Sequence, residues 1–344
     1  MIRRLILCTA LAAATLTAQG EAQSLGGKIA LVSGGITGQG IMAGDICVMD
    51  PDGSNIVKLA PVKAGGAGSF TYRIAWSPDG TRLAYKSGKD IYVVDLARKV
   101  PVNLTNAGAN ETNRLPSWSP DGARIAFVSQ GSGYSDIYVM NADGSNRVNL
   151  TGGQPGVENS MDEAPSWSPD GARIAFASQR GKIKAYNIYV MNADGTNPVQ
   201  LTSETVRDCV VTTWSPDGAR IAFDIWLDKP KSSTGLGYHW EVEVMDADGG
   251  NRMPVTQQAG EDKVDNEAPC WSPDGSKILF MSNRRYGHLD VWMVNPDGSE
   301  PVRVSQGSSA GESQMFPAWA PVPGLAPVSA VRALSWGEVK AGAW

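Results

Sequence analysis

Short apolar runs alternate with short polar turns along most of the chain, and no segment shows the spacing of three or four residues that is typical of an amphipathic helix. Runs such as residues 125–127 (Ile-Ala-Phe) and 137–140 (Ile-Tyr-Val-Met) are apolar at successive positions. This pattern is typical of strands that are covered on both faces. The turns between the runs read Ser-Pro-Asp-Gly or Asn-Ala-Asp-Gly, in which Gly accepts the left-handed conformation of a tight turn. The sequence therefore predicts a series of β-hairpins.

The hairpins belong to an internal repeat whose first strand ends in Trp-Ser-Pro-Asp-Gly. This string begins at Trp76, Trp118, Trp167, Trp214 and Trp271, and an altered copy begins at Trp319. Each unit continues with a second apolar strand, a third strand followed by a tight turn, and a short fourth strand. Six units of four strands, with a period of about fifty residues, predict an all-β fold, the six-bladed β-propeller.

The two ends of the repeat region complement each other. Residues 28–60 contain the second, third and fourth strands of a unit, whereas residues 317–321 contain only a first strand. We therefore expect the C-terminal strand to complete the first blade, which would remove the open sheet edge of a linear array. The predicted domains are a propeller over residues 28–321 and a C-terminal tail over residues 322–344.

The repeated strings resemble those of the TolB-like propeller family, and the resemblance covers roughly residues 28–321. TolB is a periplasmic member of the Tol-Pal envelope system and carries an α/β domain ahead of its propeller. No such domain precedes the first repeat in this sequence, so we expect a TolB-like propeller without it. The resemblance implies a non-enzymatic scaffold that binds another envelope protein, a peptide or a glycan.

The N-terminal residues predict export from the cytoplasm. Arg3 and Arg4 precede an apolar run from Leu5 to Ala18, and small residues follow at Gly20 and Ala22. These features predict a secretory signal peptide over residues 1–22, with cleavage after Gly20 or Ala22. No later run is long enough for a transmembrane helix. We therefore expect a periplasmic or secreted protein.

Composition narrows the function classes further. Hydrophobic residues make up 42% of the chain, and its formal net charge is -5, which leaves no basic excess for binding nucleic acid. Of the four cysteines, Cys8 lies in the signal peptide, and we expect the other three to be buried small hydrophobic residues. Only two histidines are present, so we predict neither a metal nor a cofactor. We also expect a monomer.

Loop lengths suggest which end of the propeller binds a partner. The two tight hairpins of each blade lie at one end, which we call the short-hairpin face. The connections between second and third strands and the links between blades lie at the other end, the long-loop face, and they vary in length. Variable loops carry specificity, so we expect the partner on the long-loop face. The candidate binding residues, which lie in these loops and at the channel mouth, are Arg73, Arg114, Glu163, Arg180, Arg207, Asp208, Tyr238, Glu267, Arg284 and Glu312.

An enzymatic function is the alternative. A propeller lyase or hydrolase that acts on a carbohydrate could use acids at the channel mouth, such as Glu163 and Glu267. Such an enzyme needs two carboxyl groups close together in one pocket. The string Gly307-Ser308-Ser309-Ala310-Gly311 has the spacing of a nucleophile elbow, but it lies in a predicted link between blades and no helix follows it. We therefore predict no catalytic residue.

Overall fold

The fold consists of six four-stranded antiparallel sheets arranged as the blades of a β-propeller, as the repeat predicts. The structure is a computed structural model, and it describes residues 27–37, 40–63, 73–131, 134–153, 160–180, 185–204, 208–228, 238–256, 264–285, 288–305 and 313–322. Every regular element in these ranges is a strand. No helix that could span a membrane occurs within them.

Blades 1 to 3 are built from the first eleven strands and the last one. Blade 1 contains β1 (Ile29–Thr37), β2 (Gly40–Met49), β3 (Val57–Lys63) and β24 (Ser313–Trp319); blade 2 contains β4 (Ile74–Trp76), β5 (Arg82–Ser87), β6 (Asp90–Asp95) and β7 (Pro101–Asn103); blade 3 contains β8 (Thr112–Trp118), β9 (Arg124–Gln130), β10 (Ser135–Asn141) and β11 (Val148–Asn149).

Blades 4 to 6 follow in chain order. Blade 4 contains β12 (Asp162–Trp167), β13 (Arg173–Ser178), β14 (Asn187–Asn192) and β15 (Val199–Gln200); blade 5 contains β16 (Cys209–Trp214), β17 (Arg220–Asp228), β18 (Tyr238–Asp246) and β19 (Met253–Pro254); blade 6 contains β20 (Asn266–Trp271), β21 (Ile278–Arg285), β22 (His288–Val294) and β23 (Val302–Arg303).

The ring closes through the C-terminal strand, which confirms the expected closure. β24 pairs antiparallel with β1, and Ile29 lies opposite Trp319. The strand begins at Ser313, four residues earlier than the sequence indicated, and ends at Trp319. Across the closure, Trp76 Nε1 donates to the carbonyl oxygen of Ala318 over 3.0 Å. Backbone pairing therefore joins the N- and C-terminal strands within blade 1, and a buried side-chain hydrogen bond from Trp76 joins the closing strand to blade 2.

The motif tryptophans pack between neighbouring blades. Their side chains are buried, and an arginine from the second strand of the preceding blade lies over four of the rings. The guanidinium carbon of Arg124, for example, is 4.6 Å from the ring centroid of Trp167. Equivalent pairs join Arg82 to Trp118, Arg173 to Trp214 and Arg220 to Trp271. The repeat therefore encodes a cation–π contact at successive blade junctions.

The hairpin glycine of blade 3 shows why this turn sequence is required. Gly144 has φ of +87°, and its amide donates to the carbonyl of Asn141 over 2.9 Å. A Cβ atom at this position would lie 2.7 Å from the carbonyl oxygen of Leu104 in blade 2. The glycine therefore serves both the left-handed turn and the close approach of the neighbouring blade.

The inner strands carry a bulge that the sequence did not indicate. In β8, β12 and β20 the pairing register with the second strand shifts before the motif tryptophan. Leu115, Ala164 and Ala268, each three residues before that tryptophan, have φ of +54°, +50° and +54°. The extra residue breaks the simple alternation of side chains along the strand.

Candidate functional site

A cavity of about 430 Å³ lies at the short-hairpin end of the central channel. All six blades contribute a tryptophan and a turn proline of the repeated motif to its wall. These residues are Trp76, Pro78, Trp118, Pro120, Trp167, Pro169, Trp214, Pro216, Trp271, Pro273, Trp319 and Pro321. The cavity arises because each inner strand runs towards the short-hairpin face and ends in the same motif.

Arg73 crosses the central channel and lines the inner part of this cavity. It precedes β4 of blade 2, yet Nη1 donates to the carbonyl of Pro165 in blade 4 over 2.9 Å. Nη2 donates to the carbonyl of Thr212 in blade 5 over 2.6 Å. Burial lowers the pKa of Arg73, while nearby Cys270 and Asp224 oppose that shift. The side chain therefore joins three blades and places a guanidinium at the base of an otherwise apolar cavity.

Small polar groups interrupt the apolar wall. Ser117, Ser166, Thr213 and Cys270, each directly before the motif tryptophan of its blade, line the cavity. Burial raises the pKa of the Cys270 thiol, and its sulfur accepts a hydrogen bond from the Trp319 amide over 3.3 Å. The three cysteines in the described chain are free thiols; Cys47 and Cys209 are buried, as expected, whereas Cys270 is only partly buried. The cavity offers an apolar surface with few hydrogen-bonding groups, which suits an extended apolar segment.

Two of the predicted binding residues pair with each other inside the ring. Arg114 on β8 and Glu163 on β12 are buried, and the guanidinium forms a two-point ion pair with the carboxylate across the junction of blades 3 and 4. The Nε to Oε2 distance is 3.1 Å. Ser135 Oγ also donates to Glu163 over 2.8 Å. This ion pair joins blades 3 and 4, and the Glu163 carboxylate is therefore already paired with a cation.

Lys86 on β5 is a further buried group near this pair, and sequence analysis missed it. Burial and the positive charge of Arg114 lower its pKa to about 8, with Glu163 acting in the opposite direction. Lys86 lies between Tyr85 and Ser87, and this local pattern does not indicate that its charged side chain is buried. The long-loop end of the channel therefore contains a group of buried charges that belongs to the packing of blades 2 to 4.

Three other predicted residues also contact their own or neighbouring blades. Arg180 forms an ion pair with Asp162 over 3.0 Å. Arg284 donates to Asn266 Oδ1 over 3.2 Å. Asp208 accepts a hydrogen bond from the Tyr186 amide over 2.8 Å. Each side chain has a structural partner within the propeller.

The structure does not describe the side chains of the three remaining predicted residues. Arg207 and Glu312 lie outside the described residues, and for Tyr238 the structure places the backbone on β18 but does not describe the side chain. The predicted signal peptide, residues 1–22, and the predicted tail beyond Val322 also lie outside the described residues. The proposed roles of these segments stay predictions.

Glu267 belongs to a buried acidic group between blades 5 and 6. Burial raises the pKa of Glu267 well above its usual value, and the charges of Asp224 and Asp265 act in the same direction. Burial also raises the pKa of Asp224 to about 6, although its carboxylate accepts backbone hydrogen bonds from Val211 and Ala268. Neither Asp224 nor Glu267 lines the 430 Å³ cavity. The enzymatic alternative named Glu163 and Glu267 as examples of acids at the channel mouth; the carboxyl group next to Glu267 is that of Asp224.

The substitution Glu267→Gln should change how stability depends on pH. The unfolded chain ionises Glu267 at its ordinary pKa, whereas the folded protein keeps it protonated to higher pH. The folded state therefore binds more protons across that interval, and the free energy of unfolding falls as pH rises through it. The variant should lack this loss, so its melting temperature should exceed that of the wild type more at pH 8 than at pH 5. Thermal unfolding between these pH values checks the expectation.

The control is Glu300→Gln, because the Glu300 side chain is 69% exposed. Its pH profile should run parallel to that of the wild type. Parallel profiles for Glu267→Gln and the wild type would instead show that Glu267 titrates alike in the folded and unfolded states.

His239, the histidine whose side chain the structure describes, lies next to an acid. Within the described ranges, no group of three or more His, Cys, Asp or Glu side chains could hold a metal ion. His239 Nε2 lies 3.3 Å from Glu241 Oε1. The side chain of His288 is not described.

Comparison with known proteins supports the resemblance drawn from the repeats. Residues 64–161 match the family model of the TolB beta propeller domain. An uncharacterised protein of Agrobacterium fabrum is 34% identical over 83 residues, which cover 23% of this chain and only 27% of that relative's length. Residues 64–161 are therefore similar in sequence to the TolB propeller domain, and the match to this curated relative spans about a quarter of its length.

Solved structures support the fold. TolB from Acinetobacter baumannii superposes with a TM-score of 0.63 at 22% identity, over 86% of this chain and 67% of that one. Oligogalacturonate lyase from Vibrio parahaemolyticus superposes with a TM-score of 0.52 at 12% identity, over 82% of this chain and 80% of that one. At these identities the likeness concerns the fold alone. Both a TolB and a lyase share it, so function must be argued from the site.

Proposed function

We propose that this chain is a non-enzymatic, extracytoplasmic binding scaffold that holds an extended apolar segment of an envelope protein or peptide. The observation that carries the proposal is the 430 Å³ cavity lined by the tryptophan and proline of every blade. Prolines and the edges of buried indole rings form a rigid apolar wall, so an apolar ligand is bound with little loss of side-chain freedom in the protein. The TolB-like repeat supports a location in the cell envelope.

The described acids favour binding over catalysis. Glu163 is held by Arg114, and Glu267 lies beside Asp224 and does not line the cavity. A glycosidase needs two carboxyl groups that flank the scissile bond in one pocket. The cavity offers hydroxyl groups, one thiol and Arg73, which suit recognition of a backbone or of a polar end group.

The long-loop face stays a second candidate surface for a larger partner. One described aromatic feature of this face is the stacked pair of Trp226 on β17 and Trp240 on β18, whose ring centroids lie 5.8 Å apart. Trp226 is exposed to 36%. Exposed aromatic side chains are enriched at protein interfaces. A glycan could also stack on this pair, so the experiment must separate the two faces.

A substitution inside the cavity tests the proposal. Ala75 is half-buried and lines the cavity, so Ala75→Glu would place a charge among apolar groups. Partners are first captured from an envelope extract of the source organism by the wild-type protein and then purified. Ala75→Glu should weaken binding of such a partner by on the order of 2 kcal/mol, roughly thirtyfold in Kd. Titration calorimetry measures the effect.

Three comparisons make the result interpretable. Ala123→Glu introduces the same change at an exposed turn position on the same face and should leave binding intact. Arg207→Ala and Tyr238→Ala test the long-loop face and should also leave it intact. A bound partner should slow alkylation of Cys270 by N-ethylmaleimide, since that thiol lines the cavity. If Ala75→Glu binds normally while the long-loop variants fail, the partner binds the opposite face and the cavity proposal is wrong.

A further inference from the structure

Two blades hold an arginine over a pair of aromatic rings in the same way. In blade 4 the guanidinium carbon of Arg180 lies 4.8 Å from the Phe176 ring and 5.3 Å from the Tyr189 ring. In blade 6 Arg284 lies 5.7 Å from Phe280 and 4.9 Å from Trp292. Each arginine follows its phenylalanine by four residues. In blade 5 the arginine comes from a different position in the repeat: the guanidinium carbon of Arg252 lies 5.2 Å from the Phe223 ring centroid.

The same two arginines also donate to equivalent residues of the inner strands. Arg180 Nη2 donates to Asp162 Oδ2 over 3.0 Å, and Arg284 Nη2 donates to Asn266 Oδ1 over 3.2 Å. Asp162 and Asn266 both precede the motif tryptophan of their blade by five residues. Blades 4 and 6 thus share a guanidinium site, in which the cation lies against aromatic rings and donates a hydrogen bond to an oxygen of the inner strand.

Blade 3 keeps this site but lacks the arginine. Its aromatic pair is Phe127 and Tyr138, with ring centroids 5.8 Å apart. The residue four positions after Phe127 is Gly131, where an added Cβ atom would meet nothing within 4 Å. No guanidinium covers Phe127 in the part of the chain that the structure describes. A cavity of about 450 Å³ lies there, lined by Phe127, Tyr138, Gly131, Ser129, Glu111 and Asp136 among others.

The inner-strand acceptor of blade 3 is also without its donor. Asn113 precedes Trp118 by five residues and is fully buried, and its Oδ1 has no hydrogen-bond partner among the described residues. Its Nδ2 donates to Glu111 Oε1 over 3.0 Å, which fixes the orientation of the amide. A buried acceptor without a donor costs free energy. This oxygen corresponds to the oxygens that receive Arg180 and Arg284.

The charges around the cavity favour a cation. Glu111 and Asp136 contribute two negative charges, and Arg147 contributes one positive charge. The Arg147 guanidinium donates to the backbone carbonyls of Leu104 and Thr105 and lies 3.4 Å from Glu111. One negative charge is therefore left without compensation in the cavity wall. The two undescribed residues of the adjoining loop, Ser132 and Gly133, carry no charge.

We propose that the cavity of blade 3 binds a guanidinium group supplied by a ligand, either the arginine side chain of a partner peptide or a small guanidinium compound. The planar cation stacks on Phe127 and Tyr138 and donates to the carboxylates of Glu111 and Asp136 in the cavity wall. The tyrosine at the cavity edge, Tyr134, is 43% exposed and adds a further ring. This site shares no lining residue with the tryptophan-lined cavity, so a test of one proposal does not decide the other.

Binding of defined probes to the full chain tests the proposal. Methylguanidinium and N-acetyl-arginine amide are titrated by NMR, with methylammonium, N-acetyl-lysine amide and glucose as comparisons. The guanidinium probes should bind saturably and about tenfold more tightly than the ammonium probes, which lack the planar fork. Stronger binding of N-acetyl-arginine amide than of methylguanidinium would identify a peptide as the source of the group, and equal binding would identify a small compound.

Gly131→Arg supplies the missing group from the chain itself. This variant should lose at least about tenfold in affinity for methylguanidinium, because its own side chain fills the site. Gly131→Ala should keep wild-type affinity, since the added methyl group meets no neighbour. Ala75→Glu, in the other cavity, should also keep it. Failure of the wild type to bind methylguanidinium, or unchanged binding by Gly131→Arg, would overturn the proposal, as would glucose binding of similar strength.

The reciprocal variant is Arg180→Gly, which opens the equivalent site in blade 4. Its melting temperature should fall, and millimolar methylguanidinium should restore part of the loss, while methylammonium should not. An equal response to both cations would show that the aromatic pair and its acceptor do not select a guanidinium, and the proposal would be wrong for blade 3 as well.

Discussion

A chain that ends at Gly311 is expected to lose its cooperative unfolding transition. The truncation removes β24 and with it the buried side chains of Met315, Phe316 and Trp319. Deleting each large buried side chain costs about 2 to 5 kcal/mol, and their sum approaches the 5 to 15 kcal/mol that stabilises a typical domain. The backbone of β1 would also be left as an open sheet edge. Soluble yield, size-exclusion chromatography and calorimetry measure the result.

A chain that ends at Val322 is the matched control, because it keeps β24 and removes only the tail. Its melting temperature should stay close to that of the full chain. A synthetic peptide of residues 312–322, added to the shorter chain, should restore a cooperative transition by pairing with β1. Equal stability of the Gly311 truncation and the full chain would show that the closing strand contributes nothing.

Trp167→Ala is expected to lower the free energy of unfolding by about 3 to 5 kcal/mol. The indole is buried between blades 3 and 4, among Leu115, Ile174 and Phe176, and it also carries the Arg124 guanidinium. The substitution therefore leaves a void at a blade junction and removes a cation–π contact. Denaturant unfolding followed by circular dichroism measures the change without relying on tryptophan fluorescence.

Two further variants show where the loss comes from. Trp226→Ala makes the same chemical change at a partly exposed position and should cost less. Arg124→Met, combined with Trp167→Ala in a double-mutant cycle, should give a coupling energy of about 0.5 to 2 kcal/mol. If Trp167→Ala kept full stability and lost only partner binding, the indole would be a ligand contact and not a packing group.

The repeat allowed the turns of the fold and the closure of the ring to be predicted from the sequence. Trp-Ser-Pro-Asp-Gly fixes a turn of one geometry, and the complementary partial repeats at the ends predicted the pairing of β24 with β1. The closing strand was predicted from Pro317 onwards, whereas it begins at Ser313. The difference arises because a bulge at Phe316, with φ of +54°, allows the pairing to continue past the residues that the motif marks.

The candidate site was less predictable, as Arg114 and Glu163 show. Both precede a motif tryptophan, and both were expected at the channel mouth. They lie 49 residues apart in the chain and meet across a blade junction, where they neutralise each other. The bulges in their strands reverse the simple alternation of side chains, so spacing from the tryptophan does not indicate whether a side chain faces the channel, the neighbouring blade or the solvent.

The cavity of the short-hairpin face was missed, although each of its components was seen. The tryptophan of each repeat is buried between blades, and it also lines the cavity in the channel. The sequence feature that indicated this cavity was the proline that stands two residues after the tryptophan in all six repeats. A motif repeated around a closed ring converges at the axis, and it therefore builds one shared surface from six separate turns.

By itself, the sequence determined the number of blades, the turn geometry and the closure of the ring, because each depends on local residues that recur at a regular period. Only the tertiary structure decided which side chains meet between blades: Arg73 across the channel, Glu267 beside Asp224, and Asn113 without a donor where Gly131 replaces an arginine. The physical reason is that these contacts join residues distant in the chain, and their energies depend on burial and direction, which a linear pattern does not contain.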